Sequence, residues 1–377
     1  MDAFFSLIFY FAVVSVTILV VSKRYNKTVR LTNGSENNFD YTKKISLFGI
    51  AFFSFLFVIY NVFVTVINPS TTGDRRNYAL NFYGYRSSPS VGLTFVINIV
   101  KMLSSNVETL YYVTTFVVLA ITLFAYKISK EATPYALLFL FSTQYVFFSF
   151  EGLKQSYANA FAVLCICLAL RSKTKKDDVI GILLILLAII FHPTGYLLLP
   201  LYIMLKFRKT KKTVILFFII LIVFVLFLEP ILIFVSSTVA PIAPVLSHKI
   251  LQYFGEDASE RLQTEGSLAI VKGIPYYILT VTGWVKRKSL IGKIDNYDNY
   301  LFLSGALSVI YLATVYNAWV YRFAYFLYFA EGVFYALLIR NVSNKNNRII
   351  LNVLTIGAIA VITKRFVILM YVNQGGF

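Results

Sequence analysis

The sequence predicts an all-α, polytopic membrane protein with about 10–12 transmembrane helices, an interfacial helix and a broken half-helix hairpin. Three observations lead there. Of 377 residues, 58% are hydrophobic and only 14% are charged, and mean hydropathy is +0.73; soluble domains run at roughly 45–50% apolar and about 25% charged. Apolar runs near the length of a span recur along the whole chain, and about twelve of them at about 20 residues each would use about 240 residues. Basic residues cluster between those runs with a consistent parity. The short connections leave no room for a soluble enzyme domain, so residues 1–377 read as a single integral membrane domain.

Breaks in the apolar pattern place candidate spans at 3–21, 45–67, 107–126, 134–150, 155–170, 179–191 with 194–205, 213–235, 268–285, 299–316, 320–340 and 349–363. The first has neither a basic n-region nor a small-residue cleavage site, so it reads as a retained span. Lys+Arg number 35 against 17 Asp+Glu, for a net charge of +18. In a soluble chain that excess would point to nucleic acid. Between spans it points to loops facing anionic membrane lipids, and no nucleic-acid partner is expected. Most cations fall in segments 22–44, 127–133, 171–178, 206–212, 286–293 and 340–348, which the positive-inside rule assigns to the cytoplasm. Segment 22–44, rich in Asn, Lys and Ser, reads as a solvated cytoplasmic loop. The outer side then holds 68–106, 149–155, the turn at 192–195, the loop 236–267, and 317–320.

Residues 179–205 form a nearly unbroken apolar run between two basic flanks. A single span would carry one flank outside, so two antiparallel half-helices joined at Phe191-His192-Pro193-Thr194-Gly195 are predicted. At about 1.5 Å per residue, neither 179–191 nor 194–205 is long enough to cross alone. Broken backbone at membrane depth is tolerated where it is buried in protein or lines a wet cavity, which places His192 in a recess open to the outer face. Residues 90–103 are too short to span and read as an amphipathic helix lying at the outer interface.

The outer side has few charges, so each one is informative. Gly73-Asp74-Arg75-Arg76-Asn77-Tyr78 follows the second span, with Arg86 beyond it. Lys154 and Gln155 lie between two spans, His192 sits at the hairpin tip, and Tyr321-Arg322 opens a late span with Glu331 deeper in it. Ionisable groups at membrane depth are costly and mark sites or pathways. In this set cations dominate, which suits a polyanion such as a pyrophosphate, because Arg clamps phosphate oxygens in a bidentate fork. One carboxylate or imidazole beside the clamp could act as a general base on a hydroxyl. At the outer face no nucleotide is available, so a donor there would be lipid-linked, with polyprenyl pyrophosphate as its leaving group. The 27 Tyr and 36 Phe suit a prenyl groove and sugar stacking.

Each assignment has a structural alternative. Arg75 and Arg76 read alternatively as interfacial anchors, Lys154 as a loop charge, His192 as a capping or packing histidine, and Arg322 as a structural partner of Glu331 or a snorkelling cation. Asp295 and Asp298 read as cytoplasmic loop, and the acidic residues Glu256, Asp257, Glu260 and Glu265 as a solvated face. Cys165 and Cys167, two apart in an apolar run, exclude a disulfide framework. No HExxH, CxxC, P-loop or GxSxG pattern occurs, and neither a metal nor a cofactor is expected.

Taken in order, Asp74-Arg75-Arg76-Asn77-Tyr78, then Lys154-Gln155 ahead of Ser156-Tyr157-Ala158-Asn159-Ala160, then Phe191-His192-Pro193-Thr194 resemble EpsG-like polysaccharide polymerases. These are Wzy-type enzymes of bacterial O-antigen, capsule and exopolysaccharide assembly. Tyr321-Arg322 is similar to the family's later arginine segment, and the resemblance covers about residues 45–335. Two departures stand out: Lys154-Gln155 replaces the usual Arg-Gln, and Ser87-Ser88-Pro89 stands in place of a Glu-Pro pair.

The resemblance implies a fold like that of the C-type glycosyltransferases, in the bacterial cytoplasmic (inner) membrane, with the site facing the periplasm or exterior. It implies transfer of a growing glycan from undecaprenyl pyrophosphate to a hydroxyl on the next lipid-linked oligosaccharide repeat, beside a chain-length regulator. Asp74 or His192 would activate the hydroxyl. Arg75, Arg76, Tyr78, Arg86, Lys154, Gln155 and Arg322 would bind substrate. The rival readings are a lipid-linked oligosaccharide flippase, an O-antigen ligase and a membrane O-acyltransferase. Two similar halves, one large outer loop, and an acyl-CoA entry would mark them respectively.

Overall fold

The computed structural model describes residues 73–87, 90–129, 152–171, 174–207, 210–241 with 244 and 247, 263–314 and 318–341. The expected spans 3–21, 45–67, 134–150 and 349–363 and the loop 22–44 lie outside the described residues. Every regular element among those described is helical. Val107–Tyr126 and Leu153–Arg171, where the sequence placed 107–126 and 155–170, are long and apolar enough to cross a membrane. The described chain divides into two compact units: one up to Lys206 and again from Tyr335, the other Phe207–Phe334.

The first unit opens with α1 (Gly73–Phe82), a polar helix that buries Arg75, Tyr78 and Phe82 along one side. Helix α2 (Val91–Leu103) is capped by Ser90, whose hydroxyl accepts from the Leu93 N–H. It has three faces. Gly92, Leu93, Ile97 and Val100 are buried; Val91, Phe95, Ile99, Met102 and Leu103 are apolar and exposed; Thr94, Asn98 and Lys101 are polar and exposed. Helix α3 (Val107–Ser129) follows, then α4 (Leu153–Arg171), which is the centre of the unit. Ala158, Ala160, Ala162, Cys165, Cys167 and Ala169 are all buried along α4, and such small side chains let neighbouring helix backbones come close.

Helix α5 (Lys175–Phe191) begins at Thr174, whose side chain accepts from the Asp177 N–H, and carries Asp177 and Asp178 in its first turn, where carboxylates favour a helix N-terminus. It stops at His192 because Pro193 drives the preceding residue into extended backbone (φ −150°, ψ 137°). A 3₁₀ segment, Pro193–Leu197, then turns the chain into α6 (Leu198–Lys206). Gly195 makes the turn possible, since a Cβ there would lie 2.6 Å from the Ile189 backbone nitrogen. The return is pinned at its base, where the Tyr202 hydroxyl donates to Asp178 at 2.8 Å and Lys206 pairs with the same carboxylate.

The hairpin breaks where the sequence placed it, but its arms are longer than expected. The Thr174 cap starts α5 four residues before Val179, and the 3₁₀ segment rises faster per residue than an α-helix. The arms therefore reach about 26 Å and about 24 Å, close to the hydrocarbon thickness.

The second unit starts with α7 (Lys211–Leu226) and α8 (Leu228–Val239). They replace the single span 213–235, bending at Phe227 because Pro230 cannot donate to the Leu226 carbonyl. Helix α9 (Gln263–Leu290) contains Pro275. The expected outer loop 236–267 is thus shorter, α8 continuing to Val239 and α9 starting at Gln263. Helix α10 (Tyr297–Ala313) holds Asp298 in its first turn, correcting the loop reading. The carboxylate takes two hydrogen bonds from Arg287, each 2.7 Å, and so joins the ends of α9 and α10. The expected span 320–340 is split: the aromatic run Ala318–Phe326, a poor α-former, is 3₁₀, and α11 runs Tyr328–Asn341.

Candidate functional site

Contacts within the first unit bring several chemistry-bearing segments to one end. Tyr78 and Phe82 of α1 share an apolar cluster with Leu93, Ile97 and Val100 of α2, Leu110 and Tyr111 of α3, and Leu153 at the start of α4. The Ser90 hydroxyl donates to the Phe191 carbonyl at 2.9 Å, tying the start of α2 to the end of α5. A Cβ on Gly92 would lie 2.8 Å from the Phe191 ring, and Tyr157 stacks on the same ring at 4.5 Å. Asp74, Arg75, Lys154 and His192 are therefore at one end of this unit. Arg171, Lys175, Lys176 and Lys206 are at the other, around Asp178.

The arginines of α1 differ in environment. Asp74 and Arg76 are exposed. Arg75 is only 5% exposed. Its Nη2 donates to Glu108 at 3.0 Å, its guanidinium stacks 4.0 Å over the Tyr111 ring, and the Tyr111 hydroxyl donates to its own carbonyl at 2.8 Å. A buried guanidinium needs such a counter-charge. Its Nη1 has no hydrogen-bond partner among the described residues. Tyr78 is buried in the apolar cluster, so its ring supports α1 from beneath. Arg86 lies in the exposed turn after α1 and donates to Asn77 Oδ1 at 3.0 Å. Next to it Tyr85 is 79% exposed and Tyr83 is exposed as well.

Lys154 is half-buried in the first turn of α4. Gln155, one residue on, is 4% exposed, and its Nε2 donates to Asn159 Oδ1 at 2.9 Å and to Thr194 Oγ1 at 3.0 Å. Thr194 Oγ1 lies 2.9 Å from His192 Nδ1, and the Thr194 backbone N–H donates to that same nitrogen at 3.3 Å. Gln155 and His192, far apart in the chain, are thus joined through one hydroxyl. Arg322 belongs to the 3₁₀ segment of the second unit, and its side chain lies outside the described residues. Deeper in that unit, Glu331 is 1% exposed and accepts from the Ser304 hydroxyl at 2.9 Å.

Sequence reasoning missed Glu108, Tyr111, Ser90, Thr194 and Asn159. Only Thr194 and Asn159 stood in quoted motifs. Glu108 left a trace as an isolated carboxylate at the start of an apolar run. Cys165 and Cys167 are buried packing residues, Cys165 donating to the Gly181 carbonyl at 3.6 Å.

Residues 50–376 of the chain match the model of the EpsG family. Compared with curated proteins and with solved structures, the chain matches none.

Proposed function

Because this chain belongs to the EpsG family, we propose that it is a polysaccharide polymerase that elongates glycan on a polyprenyl pyrophosphate carrier. Family membership makes it a membrane protein of polysaccharide biosynthesis. In the proposed reaction, a hydroxyl oxygen of the incoming lipid-linked repeat attacks the anomeric carbon of the growing glycan. The bond from that carbon to undecaprenyl pyrophosphate breaks, the electron pair leaving on the phosphate oxygen. The hydroxyl proton passes to a base. Asp74 is the group proposed for it, being an exposed carboxylate beside the cations.

Exposed Arg76 and Arg86 and half-buried Lys154 are placed to meet pyrophosphate oxygens, and exposed Tyr83 and Tyr85 offer faces to a sugar. Arg75 stands behind them as an interior cation, with Tyr78 under α1. Together with α2 as an interfacial helix, a multi-pass cytoplasmic-membrane protein resembling the C-type glycosyltransferases would present this site to the outer side. What supports the reading is the convergence of α1, the start of α4 and the hairpin tip at one end of a helical unit whose opposite end is basic.

Incubating purified protein with a synthetic undecaprenyl-pyrophosphate repeat, followed by gel analysis, tests it. A ladder of products is expected. A single species after long incubation refutes polymerisation, and transbilayer movement of labelled repeat in vesicles without lengthening would establish a flippase.

A further inference from the structure

The geometry points to Tyr111 as a positioning residue of the candidate site: with Glu108 it grips Arg75, and so sets how α1 presents Asp74 and Arg76. Arg75 lies between those two and is the buried one of the three. At about 100° of turn per residue, an inward Arg75 throws Asp74 and Arg76 to opposite flanks of the helix. Neither bonds to a partner among the described residues. Their placement is therefore inherited from the residue between them.

Besides the bonds of its own helix, Arg75 is held among the described residues by three contacts, all from the start of α3. Glu108 accepts from Nη2 at 3.0 Å, the Tyr111 ring lies 4.0 Å beneath the guanidinium, and the Tyr111 hydroxyl reaches the Arg75 carbonyl at 2.8 Å. The polarity of each bond has one solution. A guanidinium only donates and a carbonyl only accepts, so the hydroxyl gives its hydrogen to Arg75. Glu108 and Tyr111 are three residues apart, which puts them on one face of α3. Asn106 steadies that face, its Oδ1 accepting from the Glu108 backbone N–H at 2.9 Å. Tyr78 and Phe82 seat the later turns of α1 in the apolar cluster. In the first turn the inward side chain is Arg75, so the grip of α3 sets that end.

The consequence for catalysis rests on the polymerase reading above. There, Asp74 takes the hydroxyl proton and Arg76 meets the departing pyrophosphate, so a base and a cation work from opposite flanks of one helical turn. A displacement of about 1 Å can cost about 100-fold in rate, and a slip of α1 would displace both groups together. Tyr111 itself touches no substrate; it acts through the Arg75 backbone.

Tyr111→Phe keeps the ring under the guanidinium and removes only the hydroxyl. In full-length protein in detergent, amide hydrogen exchange of peptides spanning 74–82 should quicken about fivefold, with 175–191 unchanged. Glu108→Gln, which keeps an acceptor oxygen but not the charge, should quicken it less, and the two changes together more than either alone. Parent-like exchange at 74–82 in the double variant would overturn the inference. So would equal quickening at 175–191, which would mean a general loosening. Should Tyr111→Phe fail to fold, Glu108→Gln is read by itself against the same two peptides, and parent-like exchange at 74–82 then overturns the inference.

Elongation kinetics supply the second arm, through coupling. Tyr111→Phe should lower kcat about tenfold in the parent but less than about threefold in Asp74→Asn or Arg76→Ala, where part of what it positions is gone. The same tenfold loss in both backgrounds, or no loss in the parent, would overturn the positioning role. If exchange changes as expected but the parent never forms a ladder, the polymerase reading fails and the seating of α1 stands. If a ladder forms and Tyr111→Phe matches the parent in exchange and kcat, the reverse holds.

Discussion

Ser90 and Phe191, a hundred residues apart, are joined by one hydroxyl that serves two helices at once. Its oxygen accepts from the Leu93 N–H to cap α2, and its hydrogen goes to the Phe191 carbonyl at the end of α5. Helix α2 and the hairpin tip are thereby set in one frame, and the loss of that hydroxyl should be felt in both.

Ser90→Ala should destabilise the protein by about 1–2 kcal/mol, the sum of a lost N-cap and an unsatisfied carbonyl. Gly92→Ala should cost about 1–3 kcal/mol, because the added Cβ meets the Phe191 ring. Thermal unfolding in detergent measures both. Wild-type stability in Gly92→Ala would mean that α2 and α5 are not packed as described.

Arg75 is buried while the side chain of its partner Glu108 is 36% exposed, so removing Glu108 strands a buried charge and removing Arg75 leaves a solvated one. Glu108→Ala, which leaves the guanidinium buried, should lose more than Arg75→Ala, and Arg75→Met with Glu108→Leu should cost much less than the two single changes added together. A double-mutant cycle on unfolding free energy checks this. An activity loss in Arg75→Ala on its own consequently says little about phosphate binding.

Arg76 and Arg86 give the cleaner test of the anion site, as both are exposed. Arg76→Ala and Arg86→Ala should leave the unfolding midpoint within about 0.5 kcal/mol of the parent in stability. Elongation should nevertheless fall by about tenfold or more, since a charge-assisted contact to phosphate is worth about 1.5–3 kcal/mol. Undiminished chain length in both variants would move the clamp elsewhere.

Asp74→Asn keeps size and polarity but removes the proposed base. A drop of about 100-fold or more in kcat, with little change in KM, is expected from single-turnover elongation assays. Full activity in this variant would assign proton removal to another group.

Arg287 and Asp298 close the α9–α10 connection with two 2.7 Å hydrogen bonds. Asp298→Asn should weaken the second unit by about 1–3 kcal/mol, readable as earlier proteolysis of the 291–296 turn. An unchanged cleavage rate would show that the connection is held by other contacts.

How much was legible beforehand differs by residue. The α5 break could be read because Pro193 acts locally, on the backbone of His192 alone. The limits of α3 and α4 could be read closely because polar or charged residues bound both apolar runs, Ser104-Ser105-Asn106 and Lys127 for one, Lys154 and Arg171 for the other. The partnership of Arg75 with Glu108 could not, since it joins positions 33 apart across a helix packing that periodicity does not encode. Tyr78 was picked out by the motif it closes, while its packing with Phe82 in the apolar cluster under α1 was not legible. Asp298 looked like a loop charge because its partner lies beyond a turn, on the preceding helix. Gln155 and His192 were both picked out, but not the Thr194 hydroxyl as the group that joins them.

The hairpin of α5 and α6 behaves as a strut of set length, footed on Asp178 and crowned by an imidazole. A strut does not stretch when the surrounding lipid thickens. With the hairpin set across the bilayer as proposed, reconstitution in longer-chain phospholipids would sink its crown beneath the headgroup layer, and shorter chains would lift it toward bulk water. Acyl-chain length would then be a dial on the proposed site, one that can be turned without altering a single amino acid.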